Sequence, residues 1–433
     1  METNILKRIF FDQHQHWEKF KNKYGKKIRP IVIKEVEKFR DCGDFKKGFK
    51  LFVCEGCHDV RKVPHRCKGR FCTTCSVGES EEWSRLLTED VFQVNHRHVI
   101  FTIDEGLRDV FLLHRHLLKD LMDKAARLLT DFFQKKAKVT PGIIAGLHTF
   151  GSRINFNPHV HMLVTMGGLT KKGEWKQYDY LPFTMLRKQW QTVVLKLIRK
   201  GLTGKEKKKI QSRLQKAFTE NGEGFYVYAP KQKGSIKEQL RYIGRYIRRP
   251  AIGINRIEAY DGQCVTFKYH DKTDGKEKTE TVSVEEFISR LIRHIPDEQF
   301  KTIRHYGVYS RRIKTISKKI LTVWQEKARK WIVKIKKTLR RQTWRERIVA
   351  SGRRDVICPH CENYYEYKGE VCLEDGILVI KFAIDQMTKK YLEGEIRYIT
   401  SFQTSAKREK TKESKQFDSN KKAANGHLPL LAV

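Results

Sequence analysis

Residues 157–164 read Asn-Pro-His-Val-His-Met-Leu-Val, and polar and apolar positions there alternate with a period of two. That period predicts a β-strand in which His159 and His161 share one face while Val160, Met162 and Val164 occupy the other. Pro158 stands at the strand's start, and Gly167-Gly168 supplies the turn expected to end it. Pro141-Gly142 opens a second strand, Ile143–Phe150, and six residues, Gly151–Phe156, join the two. A connection that short suits an antiparallel hairpin, which would bring His148 beside His159 and His161. Further strands are expected at His98–Ile103, ending at Asp104-Glu105-Gly106, and at Phe225–Ala229. Cys264–Tyr269 and Glu280–Val284 bracket Asp274-Gly275, a hairpin signal. A 3.6-residue period marks helices at Ile31–Phe39, Leu107–Lys136, Thr184–Lys200 and Glu285–Ile292, with Glu81–Val91 as a connecting helix.

One more helix is sharply delimited. Ser235-Ile236-Lys237-Glu238 has the form of a capping box and Pro250 forbids continuation, so a helix is expected over 236–249. Ile236, Leu240, Ile243 and Ile247 form its apolar stripe. Tyr242 and Tyr246, four apart, lie on one flank among Arg241, Arg245, Arg248 and Arg249.

Composition narrows the function. Lys plus Arg outnumber Asp plus Glu by 89 to 50 over 433 residues, a formal charge of +39 spread along the whole chain. Such a chain repels itself unless its usual partner is a polyanion, so nucleic acid is the leading expectation. No apolar run reaches transmembrane length and the start lacks a secretory pattern, so no membrane partner and a cytoplasmic, nucleoid-associated location are expected. Hydrophobic content of 39% suits two or three globular domains.

The ten cysteines cluster. Cys54-x-x-Cys57 and Cys72-x-x-Cys75 stand fourteen residues apart, with His65 and Cys67 between them. Paired thiols at that spacing are the sequence form of a structural Zn2+ site, and Cys67 is an alternative fourth ligand. Phe52, Val53 and Phe71 would supply the module's small core. Lys62, Arg66, Lys68 and Arg70 surround it and are expected to touch phosphates. Cys358-Pro359-His360-Cys361, with Cys372 nearby, reads as half of another zinc knuckle whose partners the sequence does not show. Other histidine pairs are set aside. In His96-Arg97-His98 an intervening cation would oppose a metal, and His114 and His116 on a helix do not face each other. Pro-Cys-x-x-Cys deaminase chemistry would need a preceding His-x-Glu, and His159-Val160-His161 is not that.

Two imidazoles on one strand can reach one divalent ion, and two phenols among guanidiniums suit in-line attack on phosphorus. Taken separately, each is also compatible with ordinary packing. Taken together, a His-hydrophobic-His strand followed about eighty residues later by Tyr-x-x-x-Tyr resembles the HUH endonucleases. Leu147-His148-Thr149-Phe150-Gly151, Asn157–His161, Tyr242–Tyr246 and Arg304-His305-Tyr306-Gly307 follow the order of the two-tyrosine rolling-circle insertion-sequence transposases, which also carry an N-terminal zinc module. The resemblance covers residues 45–312. It implies that His159 and His161, with His148 as third candidate, hold Mg2+ or Mn2+. It implies also that Tyr242 or Tyr246 cleaves single-stranded DNA to a 5′-phosphotyrosine and a free 3′-OH. Asn157, where His is common in the family, and Ser152, where Gln is common, depart from the pattern.

The expected fold is α+β. Residues 1–44 form a helical segment, 45–95 a zinc module and linker helix, and 96–300 an antiparallel-sheet nuclease domain with helices packed on it. A basic helical region follows over 301–403, with Leu321, Val323, Trp324, Trp331, Ile332 and Ile335 as its seam, and then a disordered tail over 404–433. Competing expectations are a plasmid replication initiator or relaxase of the same chemistry, and a non-catalytic zinc-finger DNA-binding protein. Target sequence and oligomeric state are not legible.

Overall fold

A computed structural model describes residues 4–69, 71–76, 83–84, 87, 91–92, 94–230, 238, 250–271, 273–310 and 356–401. Two compact units divide the chain: Met1–Arg40 with Lys68–Lys336, and Asp41–Cys67 with Lys337–Val433. The strands are β1 (Gly48–Cys54), β2 (Val60–Pro64), β3 (His96–Phe101), β4 (Thr140–Phe150), β5 (Phe156–Leu169), β6 (Trp175–Gln177), β7 (Val227–Tyr228), β8 (Ile257–Tyr260), β9 (Cys264–His270), β10 (Glu277–Ser283), β11 (Ile303–Gly307), β12 (Tyr365–Glu374) and β13 (Ile377–Ala383). The helices used below are α1 (Ile5–Phe11), α2 (His16–Tyr24), α3 (Pro30–Asp41), α4 (Arg108–Leu113), α5 (Leu117–Ala137), α6 (Phe183–Gly201), α7 (Gly204–Glu220), α8 (Val284–Ile292) and α9 (386–401).

In the first unit the strands order as β11-β4-β5-β3-β7, all pairs antiparallel, and β6 pairs with the far end of β5. The period-two pattern of β5 sends Val160, Met162 and Val164 into a core shared with Leu121, Met122, Ala125 and Leu129 of α5 and Trp190 and Val194 of α6. Each fully buried side chain of this size contributes about 1.5–3 kcal/mol, so the apolar half of the strand fixes its register. His159, His161 and Leu163 are thereby forced onto the opposite face, where Leu163 packs with Ile144, Phe92, Trp175, Val308 and Tyr309.

Three local expectations change. Gly167 and Gly168 do not end β5; the strand runs through both to Leu169. A Cβ on Gly168 would lie 2.1 Å from the Thr140 carbonyl and one on Gly167 2.4 Å from that of Lys176, so these glycines admit close neighbouring backbones. The helix expected over Leu107–Lys136 is broken at His114–His116 into α4 and α5. The break lets largely buried Arg115 reach Asp297 and the carbonyls of Arg293 and Ile295. The N-terminal helices α1–α3 are not isolated. Asp12 accepts from Tyr260, His16 meets the Gly262 carbonyl, and Glu285 receives Lys23 and Tyr24, which ties them to the sheet β10-β9-β8 and α8.

A four-stranded antiparallel sheet, β13-β12-β1-β2, builds the second unit. Phe49 and Leu51 of β1 pack with Val371 of β12, Leu378 of β13 and Leu392 of α9. Residues 365–383, inside the region expected to be helical, are therefore two strands, β12 paired with β1 and β13 paired with β12. Alternation in Glu370-Val371-Cys372-Leu373 carries the signal, masked by the basic helical pattern before it. Gly48 sits at φ 112°, where a Cβ would lie 2.4 Å from the Val371 carbonyl. The expected seam, Leu321 to Ile335, and the tail 404–433 lie outside the described residues. No helix among the described residues is long and apolar enough to cross a membrane.

Candidate metal centre and cysteine cluster

The β4–β5 hairpin forms with His148 directly opposite His159 and with Gly146 opposite His161. Ring centroids of His148 lie 5.4 Å from His159 and 4.3 Å from His161, and those of His159 and His161 are 4.8 Å apart. One ligand nitrogen from each of the three falls within 4.8 Å of the others. His148 and His161 are buried and His159 is half-buried, so the trio opens on its His159 side.

The rings are held from behind. His159 Nδ1 donates to the Asn157 carbonyl at 2.7 Å, which leaves Nε2 as the nitrogen carrying the lone pair. His161 Nδ1 meets His98 Nε2 at 2.8 Å, with the rings stacked at 5.0 Å. Burial, reinforced by the His159 charge, pushes His98 down to about 4, so it is neutral and can accept the His161 Nδ1 proton. Three imidazoles, each oriented through its other nitrogen or by strand pairing, fit one divalent ion with positions left for substrate. Asn157 adds a buried side-chain oxygen with no hydrogen-bond partner on this same strand face. An oxygen donor there suits Mg2+ or Mn2+ better than imidazoles alone do.

His98 is the supporting residue that sequence reasoning missed. Arg97 was expected to oppose a metal, but neighbours on a strand point to opposite faces. Arg97 donates to the Asp179 carbonyl at 2.9 Å, and His98, opposite Leu163, shares the face of His161. The Arg304–Gly307 segment is edge strand β11. Arg304 and Tyr306 both reach Asp123 of α5 at 2.7 Å, while exposed His305 pairs with Ile144, a residue of the histidine face. Tyr242, Tyr246, Arg241, Arg245, Arg248, Arg249 and Arg70 lie outside the described residues. Arg66 and Lys68 are exposed.

The cysteines pair differently from the expectation. Cys54 and Cys57 gather in the second unit with Cys358 and Cys361, not with Cys72 and Cys75, and the four sulfurs lie within 4.8 Å of one another. The Asn363 amide and then the Cys54 thiol hold Cys361 down to about 6. Cys67 also lies beside Cys42, its amide 3.4 Å from the Cys42 sulfur. Cys72 and Cys75, both buried, belong to the first unit, at the helical turn 73–76.

Comparison with known proteins finds two matching families and two curated relatives. A family described as “Putative transposase” matches residues 142–318, which include His148, His159 and His161, and one described as “Transposase zinc-binding domain” matches residues 12–103. The “Transposase for insertion sequence element IS801” of Pseudomonas savastanoi pv. phaseolicola is 28% identical over 323 residues, 71% of this chain and 77% of that protein. The “Putative transposase y4qJ” of Sinorhizobium fredii is 27% identical over 285 residues, 61% of this chain and 71% of that protein. No solved structure matches the chain. With a transposase family matched behind a transposase zinc-binding family, the chain is similar over most of its length to insertion-sequence transposases.

Proposed function

We propose that this transposase nicks and rejoins single-stranded DNA at insertion-sequence ends through a 5′-phosphotyrosine, as rolling-circle transposition requires. The observation that supports the reading most is the meeting of His148, His159 and His161 on one sheet face, with His98 behind them. A divalent ion held there, Mg2+ or Mn2+, would supply the positive charge that polarises the scissile phosphate. His98 and the Asn157 carbonyl keep the imidazoles aimed, so no reorganisation is needed when DNA arrives. The nucleophile is Tyr242 or Tyr246. Its Oη forms a bond to phosphorus as the bond to the 3′ oxygen breaks; that oxygen leaves with a proton, and the phosphotyrosine retains the energy for resealing. Arg241, Arg245, Arg248 and Arg249 offset charge on the phosphate oxygens and help the phenol, ordinarily of pKa about 10, to ionise. Arg66, Lys68 and Arg70 add sequence-independent phosphate contacts. The work takes place in the cytoplasm, on DNA.

Incubation with single-stranded oligonucleotides carrying an element end and Mn2+ should give a covalent protein–DNA adduct on a denaturing gel. The adduct should vanish in Tyr242→Phe combined with Tyr246→Phe. Undiminished adduct in that double variant would end the tyrosine assignment, and a protein that binds the oligonucleotide but never cuts it would favour a non-catalytic zinc-finger DNA-binding protein.

A further inference from the structure

The zinc-binding family matches residues 12–103 only, whereas the thiols that meet Cys54 and Cys57 come from 307 and 301 residues further along. We infer that Cys54, Cys57, Cys358 and Cys361 together bind one structural Zn2+, so that half of the ligands of this centre lie outside the zinc-binding domain, in a C-terminal segment to which no role is assigned.

Distances are the first argument. Cys54 Sγ lies 3.4 Å from Cys361 Sγ and Cys57 Sγ 3.5 Å from Cys358 Sγ. A disulfide would hold paired sulfurs at about 2.05 Å. Four thiolates around Zn2+ at about 2.3 Å stand roughly 3.8 Å apart, close to what is seen.

The backbone gives a second, independent argument, because the two Cys-x-x-Cys turns are built alike. His58 N donates to the Cys54 carbonyl at 3.2 Å, and Glu362 N to the Cys358 carbonyl at 2.9 Å. The residue after each second cysteine is left-handed, with His58 at φ 60° and Glu362 at φ 59°. Cys54 N then donates to the Asp59 carbonyl and Cys358 N to the Asn363 carbonyl, closing each turn on its own strand. Amides also aim at sulfur: Gly56 N reaches Cys54 Sγ at 3.4 Å and Asn363 Nδ2 reaches Cys361 Sγ at 3.6 Å. Such donors stabilise thiolates that bind a cation. A Cβ on Gly56 would lie 3.0 Å from Cys361 Sγ, so the first turn can approach the second closely only because that position is glycine.

The two turns face each other because their strands pair. β1 and β12 run antiparallel with Cys54 opposite Tyr365, and Glu55 N donates to the Tyr364 carbonyl at 3.0 Å. Cys54 and Cys358 are buried beside Tyr365, whereas Cys57 is exposed. Four thiols from two turns leave no place for a substrate or water, which makes the centre structural.

The test uses the full chain and reads metal and thiol neighbours, not nicking, so it fails or succeeds independently of the proposed reaction. Cys42, Cys67, Cys72 and Cys75 are left intact in every variant. Zinc per chain, measured by mass spectrometry after chelator washing, should fall by one equivalent in Cys358→Ser combined with Cys361→Ser. It should fall by the same one equivalent in Cys54→Ser combined with Cys57→Ser, and by no more when all four are replaced. Unchanged zinc in the Cys358, Cys361 variant would overturn the inference. A second measurement needs no variant. When the wild-type chain is stripped of metal and treated with diamide, which takes two electrons and two protons from each thiol pair, peptide mapping should find Cys54 or Cys57 linked to Cys358 or Cys361, and Zn2+ should prevent it. Linkage of Cys54 and Cys57 exclusively to Cys67, Cys72 or Cys75 would refute it.

Discussion

The histidine face of the first unit and the cysteine cluster of the second are both ligand sets held on antiparallel strands, yet they are assembled in opposite ways. His148 and His159 come from neighbouring arms of one hairpin, whose short connection sets the register. Cys57 and Cys358 meet across 301 residues, through pairing between strands from far ends of the chain. Coordination differs in parallel. Three imidazoles with a half-buried member leave one side of the cluster open, while four thiols gather within 4.8 Å of one another. The difference teaches that the proposed reaction site is local in sequence and open, whereas the proposed structural zinc site is remote in sequence and saturated.

That contrast can be broken most severely by removing the open site's ligands. His159→Ala combined with His161→Ala should reduce nicking of an element-end oligonucleotide on the order of a thousandfold or more. Zinc content should stay at the wild-type level; a parallel loss of zinc would mean that the two centres are not separable. Acid should act next. Burial holds His96 and His294 at about 4 in the folded first unit. In the unfolded chain both titrate near the usual value of about 6.5. The unfolded state then takes up protons first as pH falls, so stability is full above about pH 6.5, declines toward pH 4 and levels below it. Each imidazole accounts for roughly 3 kcal/mol of that decline, readable as a falling urea midpoint. His96→Gln, which removes the ring that meets Tyr309 Oη at 2.6 Å, should flatten its share of the slope; an unaltered slope would contradict the assignment. The smallest effect belongs to His98→Ala, expected to weaken Mn2+ binding by about 10–100-fold in a titration while leaving the fold intact by circular dichroism. Unchanged Mn2+ affinity would show that His161 needs no partner.

How much of this was legible follows from the same contrast. The strand carrying His159 and His161, the hairpin and the three-histidine meeting could be read because alternation and a six-residue connection are local facts. His98 could not be placed, since the pairing of β3 with β5 sets Leu163 opposite it and no pattern within His96–Phe101 reveals that register. Gly167 and Gly168 were misread as a turn because glycine signals either a turn or a close backbone approach, and only the neighbours Thr140 and Lys176 decide. The nearest Cys-x-x-Cys, at Cys72, looked like the partner of Cys54 on spacing alone. The true neighbour, at Cys358, needed knowledge that β12 pairs with β1.

The discontinuous sheet of the second unit also has a consequence in time. A ribosome adds about 5–20 residues each second, so the β1–β2 hairpin emerges roughly 15–60 seconds before the 307-residue gap to Cys361 is spanned. Throughout that interval β1 presents an unpaired edge and two thiols lacking their companions, exposed to stray strands and oxidants. Synthesis of β12 therefore completes the sheet, and messages cut short before codon 365 would release chains in which β1 lacks that partner.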